Sequence, residues 1–140
     1  MLDISIYISI MITEDYISFE TAKLLKEKGF NEPCHALYHD GDDKIFFGLD
    51  VDSYYNTVLN VNCYACPTLQ MVMKWLREVY KLNIATYPTR QMELVVGKEF
   101  VRQYSCDIFN DNEFVKSLEI ITGYEEACEA AIKYCLENLI

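Results

Sequence analysis

The segment PTLQMVMKWLREVYKL, residues 67–82, is the most regular in the chain. Leu69, Val72, Met73, Leu76, Val79 and Tyr80 recur at helical spacing and line one face of an α-helix, while Gln70, Lys74, Arg77 and Lys81 fall elsewhere around it. Such a helix must bury its apolar stripe against another element, and the flanking segments supply candidates on both sides.

Upstream, residues 54–62 read as a strand leading into Cys63-Tyr-Ala-Cys66. Before it, Pro33 opens a hairpin of Cys34–His39 and Lys44–Val51 about an Asp40-Gly41 turn, since Asp and Gly both tolerate positive φ. Ser18 is a helix N-cap for residues 19–28. Gly29 is the left-handed residue at its end, with Phe30 placed to pack on Leu25. In the first twelve residues Leu2, Ile4, Ile6, Ile8, Ile10 and Ile12 alternate with Asp3, Ser5, Tyr7, Ser9 and Met11, the pattern of a half-buried strand. Met11 is a second candidate start, which would make residues 1–10 a loosely attached extension.

Downstream, residues 83–87 read as a strand ending in a turn at Pro88. Strands over 92–96, 100–109 and 114–121 follow, with turns at Gly97-Lys98 and Asn110-Asp111-Asn112. Thr122-Gly-Tyr-Glu125 has the form of a capping box. The helix it opens carries Ala127, Cys128, Ala131, Cys135 and Leu139 on one face and a Glu129–Lys133 pair on another. The order β-α-β-β-β-α-β-β-β-β-α is that of an α+β domain, a mainly antiparallel sheet with about three helices packed on it and helix-covered faces that bury most of the aromatics. At 140 residues it forms one domain, large enough to hold a core without cross-links.

Composition excludes several functions. Twelve Lys+Arg stand against 22 Asp+Glu, a net charge of −10, which repels nucleic acid and anionic membranes. No apolar run reaches the ~18 residues a spanning helix needs. Six cysteines without a secretory signal, in a chain able to build its own core, read as thiols in a reducing cytoplasm.

Cys63-x-x-Cys66 is the strongest chemical motif, because Cys66 would sit near the positive end of the following helix, where a thiolate is stabilised. Thr86-Tyr-Pro88 resembles the proline turn facing a thioredoxin-like dithiol, but the spacing from Cys66 leaves no room for that fold's intervening strand and helix, and no proline lies between the cysteines. A zinc site on Cys63 and Cys66 would need two further ligands from Cys34, His35, His39 or Cys106. On a strand, His35 and His39 share a face but lie ~13 Å apart, too far for one metal. Nucleophilic catalysis needs a base positioned beside a serine or cysteine; the two histidines, both on one hairpin strand, read as ordinary strand residues, and His39 beside Asp40 as turn chemistry. Asp40, Asp42, Asp43, Asp50 and Asp52 lack the spacing of a calcium loop, and the five isolated glycines make no phosphate loop. These readings leave no catalytic residue, no cofactor and no metal beyond Cys63 and Cys66 as minor candidates.

Eleven tyrosines exceed what a core of this size takes, since each buried hydroxyl needs a partner; they either ring the core edge or form an interface. Tyr54, Tyr55 and Tyr64 near the central helix, with Lys74, Arg77 and Lys81 along it, are the candidate interaction residues. The blocks ISFETAKLLKEKGF (17–30), PTLQMVMKWLREVYKLNI (67–84) and YEEACEAAIKYCLENLI (124–140) resemble a family of small uncharacterised proteins from gut Bacteroides and their phages or integrated elements. In that family the position before the Pro-Thr pair is small, so Cys66 departs from it. The resemblance implies a bacterial cytoplasm and a mobile-element origin, and no reaction. The expected function is that of a non-enzymatic interaction or regulatory protein binding a host or phage protein; the alternative is a small-ligand or nucleotide binder acting by sequestration.

Overall fold

The computed structural model describes residues 12–48, 54–93, 100–120 and 123–140. The strand expected over the first twelve residues lies outside them but for Ile12. So do the far end of the hairpin's second strand, residues 94–96 of the 92–96 strand, the Gly97-Lys98 turn and Thr122.

Helix α1 spans Phe19–Glu27. Ser18 caps it in an extended conformation, its Oγ accepting from the Thr21 N–H. At the other end Gly29 takes φ 87°, the Phe30 N–H bonds back to the Leu25 carbonyl at 2.9 Å, and both side chains are buried.

β1 (Ala36–His39) and β2 (Phe46–Phe47) form the hairpin, with Gly41 at φ 82° in the turn. β3 (Cys63–Ala65) pairs with the other edge of β1, giving the order β2-β1-β3, all antiparallel. Residues 54–62, expected as a strand, form turns instead. Tyr54 meets the sheet only in a bridge with Cys34, and the Val58 and Leu59 N–H groups both bond to the Tyr55 carbonyl. Asparagine side chains bond the backbone in competition with a ladder. Asn56, buried, does so here, donating to the Phe30 carbonyl and accepting from the Ala65 N–H.

α2 (Leu69–Tyr80) is the helix of the 67–82 segment, N-capped by Thr68, whose Oγ1 accepts from the Met71 N–H. Leu69, Val72, Met73 and Leu76 are buried as expected, and Tyr80 is half-buried. Val79 is not: it is 55% exposed, and Trp75 is buried in its stead, edge-on to both Phe30 and Tyr80 at 5.2 Å. Phe30, delivered by the α1 ending, draws the buried stripe toward Trp75. Lys81 ends α2 in the left-handed conformation, φ 61°.

The second sheet is a meander of β4 (Leu82–Glu93), β5 (Phe100–Asn110) and β6 (Glu113–Ile120). The turn expected at Pro88 is absent: β4 runs straight through it with a register shift between Pro88 and Arg90. An edge strand tolerates proline because one of its sides makes no ladder bonds. Asp111, at φ 53°, serves the turn between β5 and β6.

α3 (Tyr124–Asn138) begins at Gly123, which holds the N-cap position without a side-chain bond, so the capping-box reading, which put Thr122 there, is one residue early. Ala127, Cys128, Ala131, Ile132, Cys135 and Leu136 are buried. Helices α2 and α3 lie against one face of the meander. There Thr86 Oγ1 sits 3.2 Å from Cys106 Sγ and 3.4 Å from Cys128 Sγ, and the Cys106 thiol donates to the Ala127 carbonyl. The molecule is an α+β fold of three helices and two three-stranded antiparallel sheets among the described residues.

Candidate functional site

The Glu129–Lys133 pair expected along α3 does not form. Both side chains reach to α1 instead: Lys133 pairs with Glu20 at 3.2 Å, and the Glu129 carboxylate accepts from the Ser18 N–H at 3.0 Å and from the Ser18 and Thr21 hydroxyls. A carboxylate at a helix N-terminus meets both free N–H groups and the positive end of the dipole. Glu129 is thus a second cap delivered from another helix, invisible in a local capping motif.

The two cysteines of the CxxC motif are not neighbours in function. Alternation along β3 puts Cys63 and Ala65 on one face and Tyr64 on the other, and Cys66, three positions after Cys63, falls with Tyr64. Cys66 is buried with its Sγ 3.8 Å from the Ile17 carbonyl, the same oxygen that accepts the Tyr38 hydroxyl at 2.7 Å. Burial pushes its thiol up to about 12. Burial thus holds Cys66 as a neutral thiol. Cys34 and Cys135 are likewise raised to about 12 by burial, with Glu32 adding to the effect at Cys34; burial raises Cys106 and Cys128 as well.

Cys63 instead meets His39. The two stand directly opposite in the β1–β3 register, and Cys63 Sγ lies 3.3 Å from His39 Nδ1. The Phe46 ring stands edge-on to the imidazole at 4.8 Å. Both residues stand out in the sequence, but only the strand register joins them. Among the described residues no group of three or more His, Cys, Asp or Glu side chains is placed to hold a metal ion.

The interaction candidates divide into two sets. Tyr54 is half-buried in its bridge with Cys34, Tyr55 is exposed in the turn after it, and Tyr64 is edge-on to Phe19, with the Lys23 and Lys26 ammonium groups over its ring. Lys74, Arg77 and Lys81 are exposed along α2. No hydrogen bond or ring contact joins the two sets among the described residues. Lys74 does border a groove of about 450 Å³ between α2 and the segment before β1, with Glu32 and Pro33 facing Gln70, Trp75 and Val79.

A surface that sequence reading missed is the meander face opposite the helices. Thr86, Cys106 and Leu118 point inward, so Tyr87, Asp107 and Ser117 point outward. The Asp107 carboxylate there accepts from the Tyr87 hydroxyl at 3.1 Å and the Ser117 hydroxyl at 2.8 Å. That hydrogen bond raises the Tyr87 phenol above its ordinary range. Beside them Phe109 and Phe114 meet edge-on at 5.9 Å, and Phe114 is 60% exposed. The alternation in Tyr104-Ser-Cys-Asp-Ile108 carries this signal, since the polar residues mark the outer face.

No protein family, curated protein or solved structure matches this chain. No helix among the described residues is long and apolar enough to cross a membrane.

Proposed function

We propose that the protein acts by binding another protein, without catalysing a reaction, and that it engages its partner through the outer face of the β4-β5-β6 meander. The observation that carries this reading is the pairing on that face of exposed aromatic surface, Tyr87 and Phe114, with a fixed polar cluster around Asp107. Interfaces combine these two features: aromatic side chains bury large area at low entropic cost, and preset polar groups fix the register. The resemblance of three sequence blocks to proteins of Bacteroides phages and integrated elements adds the setting, a bacterial cytoplasm with a host or phage protein as partner. The test is retention of proteins from a gut Bacteroides lysate on the immobilised folded chain, run beside the double variant Tyr87→Lys, Phe114→Lys. A partner held by the wild type and lost by the variant supports the reading. Retention unaffected by the variant, or no retention at all, defeats it.

A second reading, a small-ligand binder, is favoured by the groove along α2, whose volume is within the ~300–1,000 Å³ of ligand sites. A thermal-shift panel of nucleotides and small acids discriminates: a ligand at 100 times its Kd stabilises the fold by about 2.7 kcal/mol, and Lys74→Ala abolishes the shift.

A further inference from the structure

Five of the six cysteines are sealed: Cys34 and Cys66 are 1% exposed, and Cys106, Cys128 and Cys135 are 0% exposed. Cys63 is 8% exposed, and the group that meets its sulfur is a solvent-exposed imidazole at the end of a hairpin strand. A thiol reacts as its thiolate, so reactivity needs a route for the proton as well as access for the reagent. With the imidazole proton on Nε2, His39 Nδ1 is an acceptor 3.3 Å from the sulfur. Register holds this geometry, since β1 and β3 place the two Cα atoms directly opposite, and the Phe46 ring supports the imidazole from β2. Among the described residues, the Lys26 Nζ donates to the Cys63 carbonyl at 2.7 Å, and Asp40 adjoins His39 in the chain.

We propose that Cys63 is a thiol-exchange site. Its thiol, assisted by His39, reacts with low-molecular-weight disulfides of the glutathione class and leaves the folded chain S-thiolated at this one position. His39 Nδ1 takes the thiol proton, and Cys63 Sγ attacks one sulfur of the disulfide R–S–S–R. The new Sγ–S bond forms as the reagent's S–S bond breaks, and the departing R–S⁻ takes the proton from the imidazolium. The reagent disulfide is the oxidant: one of its sulfurs leaves as a thiol, and the Cys63 sulfur ends in the mixed disulfide. This reaction is independent of the protein-binding reading and stands or falls without it.

The test is the reaction of the full folded chain with 5,5′-dithiobis(2-nitrobenzoate), followed by released thionitrobenzoate, with peptide mapping of the labelled product. One fast equivalent mapping to Cys63 is expected, with the other five thiols reacting only in denaturant. Oxidised glutathione should then add a single glutathionyl group at the same residue. His39→Gln should slow the fast phase on the order of tenfold and alter the shape of its pH–rate profile between pH ~5 and 8, which loss of packing alone would not do. Mapping on the wild type needs no variant, so it decides even where Cys63→Ser fails to fold. A first label on any other cysteine, no fast equivalent, or an unchanged rate and profile in His39→Gln overturns the proposal.

Discussion

The two sheets of this protein are built on opposite terms. The strands of β2-β1-β3 are two to four residues long, and both faces of the central strand are occupied: Tyr38 meets Phe19 of α1 on one side, and Leu37 is buried on the other. The meander β4-β5-β6 has strands of 8 to 12 residues, with helices on one face and exposed aromatic and polar side chains on the other. A short-stranded sheet makes few ladder bonds and draws its stability from burial on both faces, whereas a long antiparallel ladder can leave one face to solvent. The difference is one of face rather than of aromatic exposure alone, since β2 also exposes Phe46 and Phe47: the meander leaves a whole face without helices, and the proposed interface rests on that face.

Four measurements test how far the two sheets differ. The largest effect is expected in the shared core, where Leu76→Ala should lower the unfolding free energy by about 2–5 kcal/mol in chemical denaturation, because Leu76 is fully buried between the helices and the sheets. Next, Glu129→Ala removes the acceptor for Ser18 and Thr21 and should cost about 1–3 kcal/mol, which would show that the α1 end of the molecule depends on α3.

The third is a pH effect. The thiols of Cys34, Cys66 and Cys135 are raised to about 12 in the folded chain from an ordinary 9.0, so the unfolded chain loses these protons first. Their contribution is therefore complete below pH ~9 and is lost as pH climbs toward 12. The melting temperature should fall over that range, and Cys135→Ala should make the fall shallower. An alkaline melting curve that stays flat would mean that these thiols are not sealed. The smallest effect belongs to the open face: Phe114→Ser should change stability by less than about 0.5 kcal/mol. A cost above about 1 kcal/mol would show that this face is structural and would remove the basis for the proposed interface.

Much of the fold was legible because its signals are local. The Ser18 cap, the Gly29-Phe30 ending, the Asp40-Gly41 turn and the α2 stripe each depend on residues within one or two turns of one another. The errors have local causes too. Residues 54–62 alternate like a strand, but Asn56 spends its side chain on Phe30 and Ala65. Pro88 reads as a break, yet an edge strand accommodates it. The candidate site was legible only in part, since Cys63 and His39 were both considered, and nothing in a CxxC spacing shows that the two cysteines face opposite ways.

Local pattern was enough for the three helices, both ends of α1, the buried stripe of α2 apart from Trp75 and Val79, the α+β class and the net charge of −10, because periodicity, turn chemistry and charge are properties of neighbouring residues or of composition. Tertiary structure alone decided which side chains meet. Strand register set Cys63 against His39 and sent Cys66 to the far side, helix packing carried Glu129 to the start of α1, and the placement of α2 and α3 left one face of the meander exposed. Each of these contacts joins residues distant in the chain, and their pairing depends on how whole elements align, which no local pattern encodes.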